Sequence, residues 1–351
     1  SDDDEEEHVH ISGRHILPPR RPEPANAVDN PTRVARTRSS GEALGMVYLL
    51  QPSESASSSV RLFCVNEGDG AFLLGGYSAG SSLVSVPSSV GVYSRDVNEL
   101  ALGNGVDGEG IKYQNVPRCI QVVSDGSTGF WSIASPEQGD RLELLRTTPG
   151  IVGKKARFLT RDSTLVMDPT GGVWVNVKRR GFQAEPGFLY IKSGKQKQVT
   201  RTAEPISSKI VPDASRGGLW VLFVEDDQPK LKKITKGGQQ LVVSIDCSVA
   251  KENKLIANVY GGVFIHCRRN NRWGVFHCNP EQANSQGVLN LVIECSKDAK
   301  IVSDKGGFLW IMQKRRGSSA RVVRKISPRG EQIYGCEHRF GPGTTIVGAY
   351  S

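Results

Sequence analysis

Asp168-Pro-Thr-Gly-Gly-Val-Trp174, Asp213-Ala-Ser-Arg-Gly-Gly-Leu-Trp220 and Asp304-Lys-Gly-Gly-Phe-Leu-Trp310 share one plan. An acidic residue opens a tight turn, paired glycines carry the chain round it, and an apolar run ending in tryptophan follows. Glycine supplies turn conformations that other residues adopt only at a cost, and branched and aromatic residues favour strands. Asp125-Gly-Ser-Thr-Gly-Phe-Trp131 and Gly261-Gly262-Val263-Phe264 are close variants, and Gly91-Val92-Tyr93 and Gly45-Met46-Val47-Tyr48 are weaker ones. The aromatic positions are then Tyr48, Tyr93, Trp131, Trp174, Trp220, Phe264 and Trp310, spaced 45, 38, 43, 46, 44 and 46 residues apart. A recurrence of about 40–45 residues is the period of a β-propeller blade.

One unit shows the strands. Residues 163–168 form an inner strand, Val173–Val177 a second, Phe188–Ile191 a third, and Gln198–Thr200 an outer one. The two ends of the chain complement each other. The first unit starts with a second-strand match at Met46–Leu50 and continues through Val60–Val65 and Phe72–Leu74, so it lacks an inner strand. Thr344–Tyr350 is an inner strand with no unit to follow it. Pairing the two closes a ring and removes its exposed edges. The expected fold is all-β, a seven-bladed propeller over residues 44–351 closed by the C-terminal strand, with six blades as the alternative. The repeated aromatics read as packing between blades rather than a ligand cage.

Composition agrees. Glycine makes up 39 of 351 residues, and no apolar run approaches the ~20 residues that a membrane helix needs. The first residues are acidic, so no signal peptide is visible. Seven scattered cysteines without a Cys-x-x-Cys pair fit reduced thiols better than a disulfide framework, which points to an intracellular protein in cytoplasm or nucleus. Residues 1–43 join an acidic run (Asp2–Glu7) to a Pro/Arg stretch and a basic segment with Ser39 and Ser40, a composition expected to stay disordered. Beyond residue 7, 45 basic residues face 30 acids, a net +15.

The Asp-x-x-Gly-Gly-x-Trp unit at Asp168–Trp174 and its relatives resembles the propeller repeats of two-component-regulator sensor domains, as a pattern over about residues 45–351. The resemblance implies the fold and carries over no functional residue. The Gly-His and Trp-Asp marks of WD40 blades and the full Asp-box of sialidases are missing. So are the membrane and kinase segments of two-component sensors.

Candidate chemistry lies in the loops. The second-to-third strand loops carry Lys178, Arg179 and Arg180 in blade 4, Arg268, Arg269 and Arg272 in blade 6, and Lys314, Arg315 and Arg316 in blade 7. Such clustered charge attracts phosphate or acidic peptide. The equivalent loop of blade 5 is acidic (Glu225, Asp226, Asp227), and a looser basic set (Lys192, Lys195, Lys197, Lys232, Lys233, Lys236) falls on the opposite face. His266-Cys267 and His277-Cys278 have the residue types of a zinc site, but they flank a tight hairpin at Asn270-Asn271 that offsets them along the strands, so no metal is expected. The Gly-rich stretch Asp96–Gly110 is placed over the pore. No nucleophile beside a histidine, carboxylate pair or phosphate loop stands out, so neither catalysis nor a cofactor is expected. The resulting expectation is a non-enzymatic scaffold, a subunit of a larger complex, whose basic face binds an acidic or phosphorylated protein. A nucleic-acid or chromatin-associated propeller is the alternative, and a pore-site hydrolase or lyase comes third.

Overall fold

The computed structural model describes residues 47–350 apart from 54–58, 66–70, 87–88, 98, 104–109, 114–115, 117, 127–128, 136–141, 149–150, 160–161, 179–184, 193–194, 203, 205–206, 283–286 and 316, together with the backbone of 9–10, 15–16, 23–24, 26–27 and 30–31. Those residues contain strands and turns but no helix. Blade 1 uses β1 (Val47–Pro52), β2 (Ser59–Val65) and β3 (Ala71–Ser78). Blade 2 has β4 (Ser81–Val86), β5 (Ser89–Ser94), β6 (Glu99–Gly103) and β7 (Gly110–Tyr113). Blade 3 has β8 (Cys119–Ser124), β9 (Phe130–Ala134), β10 (Leu142–Thr148) and β11 (Ile151–Leu159). Blade 4 has β12 (Thr164–Met167), β13 (Val173–Val177), β14 (Gly187–Lys192) and β15 (Lys195–Gln198). Blade 5 has β16 (Lys209–Pro212), β17 (Leu219–Glu225), β18 (Gln228–Ile234) and β19 (Gln240–Ser244). Blade 6 has β20 (Lys254–Ala257), β21 (Val263–Arg269), β22 (Arg272–Cys278) and β23 (Asn290–Glu294). Blade 7 has β24 (Lys300–Ser303), β25 (Leu309–Lys314), β26 (Arg321–Ile326) and β27 (Gln332–Phe340), and β28 (Thr345–Val347) returns to blade 1.

Each blade is an antiparallel sheet of four such strands, and three also carry a two-residue backbone strand from within residues 1–46. The expectation of a disordered tail over 1–43 otherwise lies outside the described residues. β28 pairs with β1 in the register Val347↔Tyr48, Ile346↔Leu49, Thr345↔Leu50, which is the closure expected from the two chain ends. Every inner strand touches the inner strand of the next blade, including β24 to β28 and β28 to β4, so seven blades complete the ring.

The seven aromatic positions all lie on second strands and are buried. Each points into the neighbouring blade: Tyr48 against Val90 and Val92, Tyr93 against Phe130, Trp131 against Val173 and Val175, and Trp174 against Leu219 and Val221. Trp220 likewise meets Val263 and Ile265, Phe264 meets Ile301 and Ile311, and Trp310 meets Val47 and Leu49. Burying one tryptophan removes roughly 200 Å² from water, an upper limit near 5 kcal/mol. No blade gains it alone.

Two local expectations shift. The outer strand of blade 4 is Lys195–Gln198, because Val199 N and Thr200 N donate to Phe188 O in a bulge rather than continuing the ladder. Within the Asp96–Gly110 stretch residues 99–103 form β6, the third strand of blade 2, away from the pore, and residues 104–109 lie outside the described residues.

Candidate functional site

The repeat's acidic residue closes its own turn. Asp168 Oδ2 accepts from Trp174 Nε1 at 2.8 Å, and Asp304 Oδ2 accepts from Trp310 Nε1 at 2.9 Å. A cation completes each cluster. Opposite the aromatic on the third strand stand Arg146 in blade 3, Lys233 in blade 5 and Lys325 in blade 7. They approach Asp125 (2.9 Å), Asp213 (2.8 Å) and Asp304 (3.3 Å) respectively, and each lies over the ring of its paired tryptophan. In blade 4 the cation comes from the next blade, Lys236, which also covers Tyr190. These clusters neutralise part of the second basic set. Lys232 pairs with Glu204 at 2.8 Å, while Lys192 and Lys197 donate to the Thr170 and Lys236 carbonyls. On the turn face Lys232, Lys233 and Lys236 are thus ion-paired, while Lys192 and Lys197 keep their charge.

At the opposite end lie the second-to-third strand hairpins and the connections between blades. Of the basic residues expected there, Arg179, Arg180 and Arg316 lie outside the described residues. Arg268 donates to Asn271 Oδ1 at 2.7 Å, Arg272 to Glu294 Oε1 at 3.0 Å, and Arg269 to both Asp246 (3.2 Å) and Leu289 O (3.0 Å). The arginines of blade 6 are thus engaged by their own blade and by the connection that leads into it. Lys178 is half-buried, whereas Lys314 and Arg315 are exposed and join no ion pair among the described residues.

The sequence reading missed the lysines of the inner strands. β16, β20 and β24 each begin with a lysine: Lys209, Lys254 and Lys300. They occupy one register position in three consecutive blades, opposite Leu222, His266 and Met312. All three are half-buried, and none is ion-paired among the described residues. Lys254 Nζ donates to Ala299 O at 2.7 Å and Lys300 Nζ to Thr344 O at 3.0 Å, so each reaches across to the next inner strand. Burial holds Lys254 below the ordinary lysine range, Cys295 and Asp298 oppose this, and Lys209 adds to it. Burial also lowers Lys300, reinforced by Arg321 and Lys254. Ammonium groups that have lost water and lie within range of one another are set to gain from an arriving anion. The signal was present in the sequence as a lysine 10 or 11 residues ahead of Trp220, Phe264 and Trp310.

The His-Cys pairs do not converge. In β21 and β22 successive side chains point to opposite faces. His266 therefore lies against Trp273 (5.2 Å) and His277 against Phe264 (5.4 Å), while Cys267 and Cys278 enter the cluster shared with blade 5. Asn270 and Asn271, at φ 48° and 63°, form the tight turn between them. Burial pushes His266 down to about 4, with Lys254 adding to the effect, so it is neutral. Among the described residues no three His, Cys, Asp or Glu side chains group as metal ligands.

No family model and no curated protein matches the sequence. Solved structures with a similar fold include a protein from Lactobacillus plantarum, at 12% identity over 86% of this chain and 99% of that one, with a TM-score of 0.50. TolB from Acinetobacter baumannii is 10% identical over 87% of this chain and 66% of its own, at 0.48. A catalytically inactive virginiamycin B lyase from Staphylococcus aureus with quinupristin is 12% identical over 85% and 95%, also at 0.48. At these identities likeness speaks to fold alone, and the fold of this chain is a seven-bladed β-propeller.

Proposed function

We propose that this propeller is a non-enzymatic docking platform that receives an acidic or phosphorylated protein segment at the hairpin end of its axis. Lys209, Lys254 and Lys300 would line one arc of the mouth, and Lys314 and Arg315 would extend the contact outward. The observation that carries this reading is the lysine at the start of three consecutive inner strands, half-buried and without a carboxylate partner among the described residues. An extended acidic segment suits a compact cluster of cations better than a duplex does, since backbone binding to nucleic acid draws on many spread phosphate contacts. The exposed aromatic Tyr260, which a base could stack on, belongs to a turn at the other end. The six described cysteines are all free thiols, which supports an intracellular setting.

The test is an array of phosphorylated, acidic, neutral and basic peptides probed with the full chain and with a Lys209→Gln/Lys254→Gln/Lys300→Gln variant. Retention of acidic or phosphorylated peptides that falls at least tenfold in the variant, with Tm unchanged, supports the reading. Equal retention by both proteins overturns it. So does retention of single- or double-stranded nucleic acid, falling steeply with salt, in place of peptide.

A further inference from the structure

We propose that Cys247 and Cys267 form a reversible disulfide when the folded protein meets hydrogen peroxide, with Cys247 as the attacking thiol. Cys247 sits in the connection from β19 to β20, which is fastened along the end of β21 on both sides of the cysteine. Asp246 holds Arg269 at 3.2 Å, and Ser248 N donates to Arg268 O at 2.8 Å. Asn253 Nδ2 then ties down the Ser248 carbonyl at 2.9 Å. Between these anchors the Cys247 side chain packs into the apolar cluster that contains Cys267 and Cys278, and the backbone bond from Ser248 to Arg268 sets residues 247 and 267 side by side.

The two thiols differ in the way an attacking and a resolving pair must. Cys247 is half-buried and so within reach of a small oxidant, whereas Cys267 is fully buried. The hydrogen bond from Cys267 holds the Cys247 thiol below its ordinary range, against burial and Asp246, with Arg269 helping. Cys267 is pushed up, because it gives that hydrogen bond and because it is buried. Of the two thiols, the accessible Cys247 is therefore the one that gives up its proton first.

In the first step the Cys247 thiolate attacks one peroxide oxygen. The O–O bond breaks, a sulfenic acid forms, and the departing hydroxide takes up a proton to become water. In the second the Cys267 sulfur attacks the Cys247 sulfur, and the hydroxyl leaves with the Cys267 proton as a second water. One peroxide is reduced to two waters while two thiols become one disulfide, and a dithiol reductant reverses the change. The product would pin the connection between blades 5 and 6 to β21, at the same end as the lysine cluster.

The full chain treated with peroxide, alkylated and digested with trypsin reads the outcome, because residues 237–251 and 255–268 leave in separate peptides. The expected product joins these two peptides and disappears on reduction. In Cys267→Ser, Cys247 should stop at a sulfenic acid trapped by dimedone, and in Cys247→Ser, Cys267 should stay unmodified. Over-oxidation of Cys247 without a crosslink in the unmutated protein, or pairing of Cys247 with Cys278, overturns the proposal. Native alkylation without oxidant provides a check that needs no variant. Cys247 should label first among the described cysteines, and equal labelling of Cys267 also overturns the proposal.

Discussion

The carboxylate of Asp168, fully buried in blade 4, receives the ammonium of Lys236 from blade 5 at 2.9 Å. Its other oxygen holds Trp174 Nε1 at 2.8 Å, and Thr170 donates both its amide and its hydroxyl. One side chain thus closes a turn, orients the aromatic that fills the next blade, and fastens that blade from outside. Asp168→Ala strands a buried indole N–H and a cation together, so a loss of about 3–5 kcal/mol in urea unfolding is expected. Lys236→Met should cost about 1 kcal/mol, because the ammonium is 31% exposed and Asp168 keeps its other donors.

Asp304 brings a pH dependence of the less usual sign. Burial holds its carboxyl above the ordinary 3.8, although Lys325, Trp310 and the Phe308 amide all pull it down. A raised folded-state pKa contributes stability below 3.8 that is lost as pH rises through the folded value. The stability difference between the unmutated protein and Asp304→Asn should therefore shrink from pH 3.8 up to the folded-state pKa and be flat above it. Paired urea titrations across that range measure it, and a difference that grows with pH contradicts the assignment.

Two glycines at positive φ should respond unequally to alanine. Gly172, at φ +97°, would place a Cβ 2.6 Å from the Ile191 carbonyl, inside the sheet, and a loss of roughly 3 kcal/mol is expected. Gly317, at φ +73°, has nothing within 4 Å, so only the backbone cost of about 1 kcal/mol applies. Equilibrium unfolding of the two variants compares them directly.

Removing residues 344–351 should open the ring. Blade 1 loses its inner strand, and Leu49 and Trp310 lose part of the cluster they share with Ile346. We expect a protein that elutes as aggregates in size-exclusion chromatography and lacks a single cooperative unfolding transition.

The lysine cluster separates binding from stability. Lys254→Met with Lys300→Met removes two charges that burial and mutual repulsion disfavour while keeping their apolar stems. Thermal unfolding should be unchanged or shifted upward, and affinity for an acidic peptide should fall about tenfold, near 1.4 kcal/mol. A lower Tm would mean that the hydrogen bonds to Ala299 and Thr344 outweigh the repulsion.

The fold was largely legible because each blade repeats the same local problem. Asp168, Asp213 and Asp304 each precede a glycine pair and a tryptophan, and the missing inner strand at Met46 had its complement at Thr344. The site was less so. Arg268, Arg269 and Arg272 look like free cations in the chain, yet Asn271, Asp246 and Glu294 engage them, and two of those partners lie some twenty residues away in sequence. Lys209, Lys254 and Lys300 sit inside strands, where a basic residue reads as an exposed edge position.

Sequence by itself determined the period and the turn chemistry and favoured seven blades over six, because glycine conformation and strand alternation act over a few residues at a time. Tertiary structure alone decided which charges stay uncompensated and which thiols meet. Those depend on the through-space approach of side chains from different blades, as between Lys254 and Ala299 or Cys247 and Cys267, and close approach across a ring leaves no mark on either segment alone.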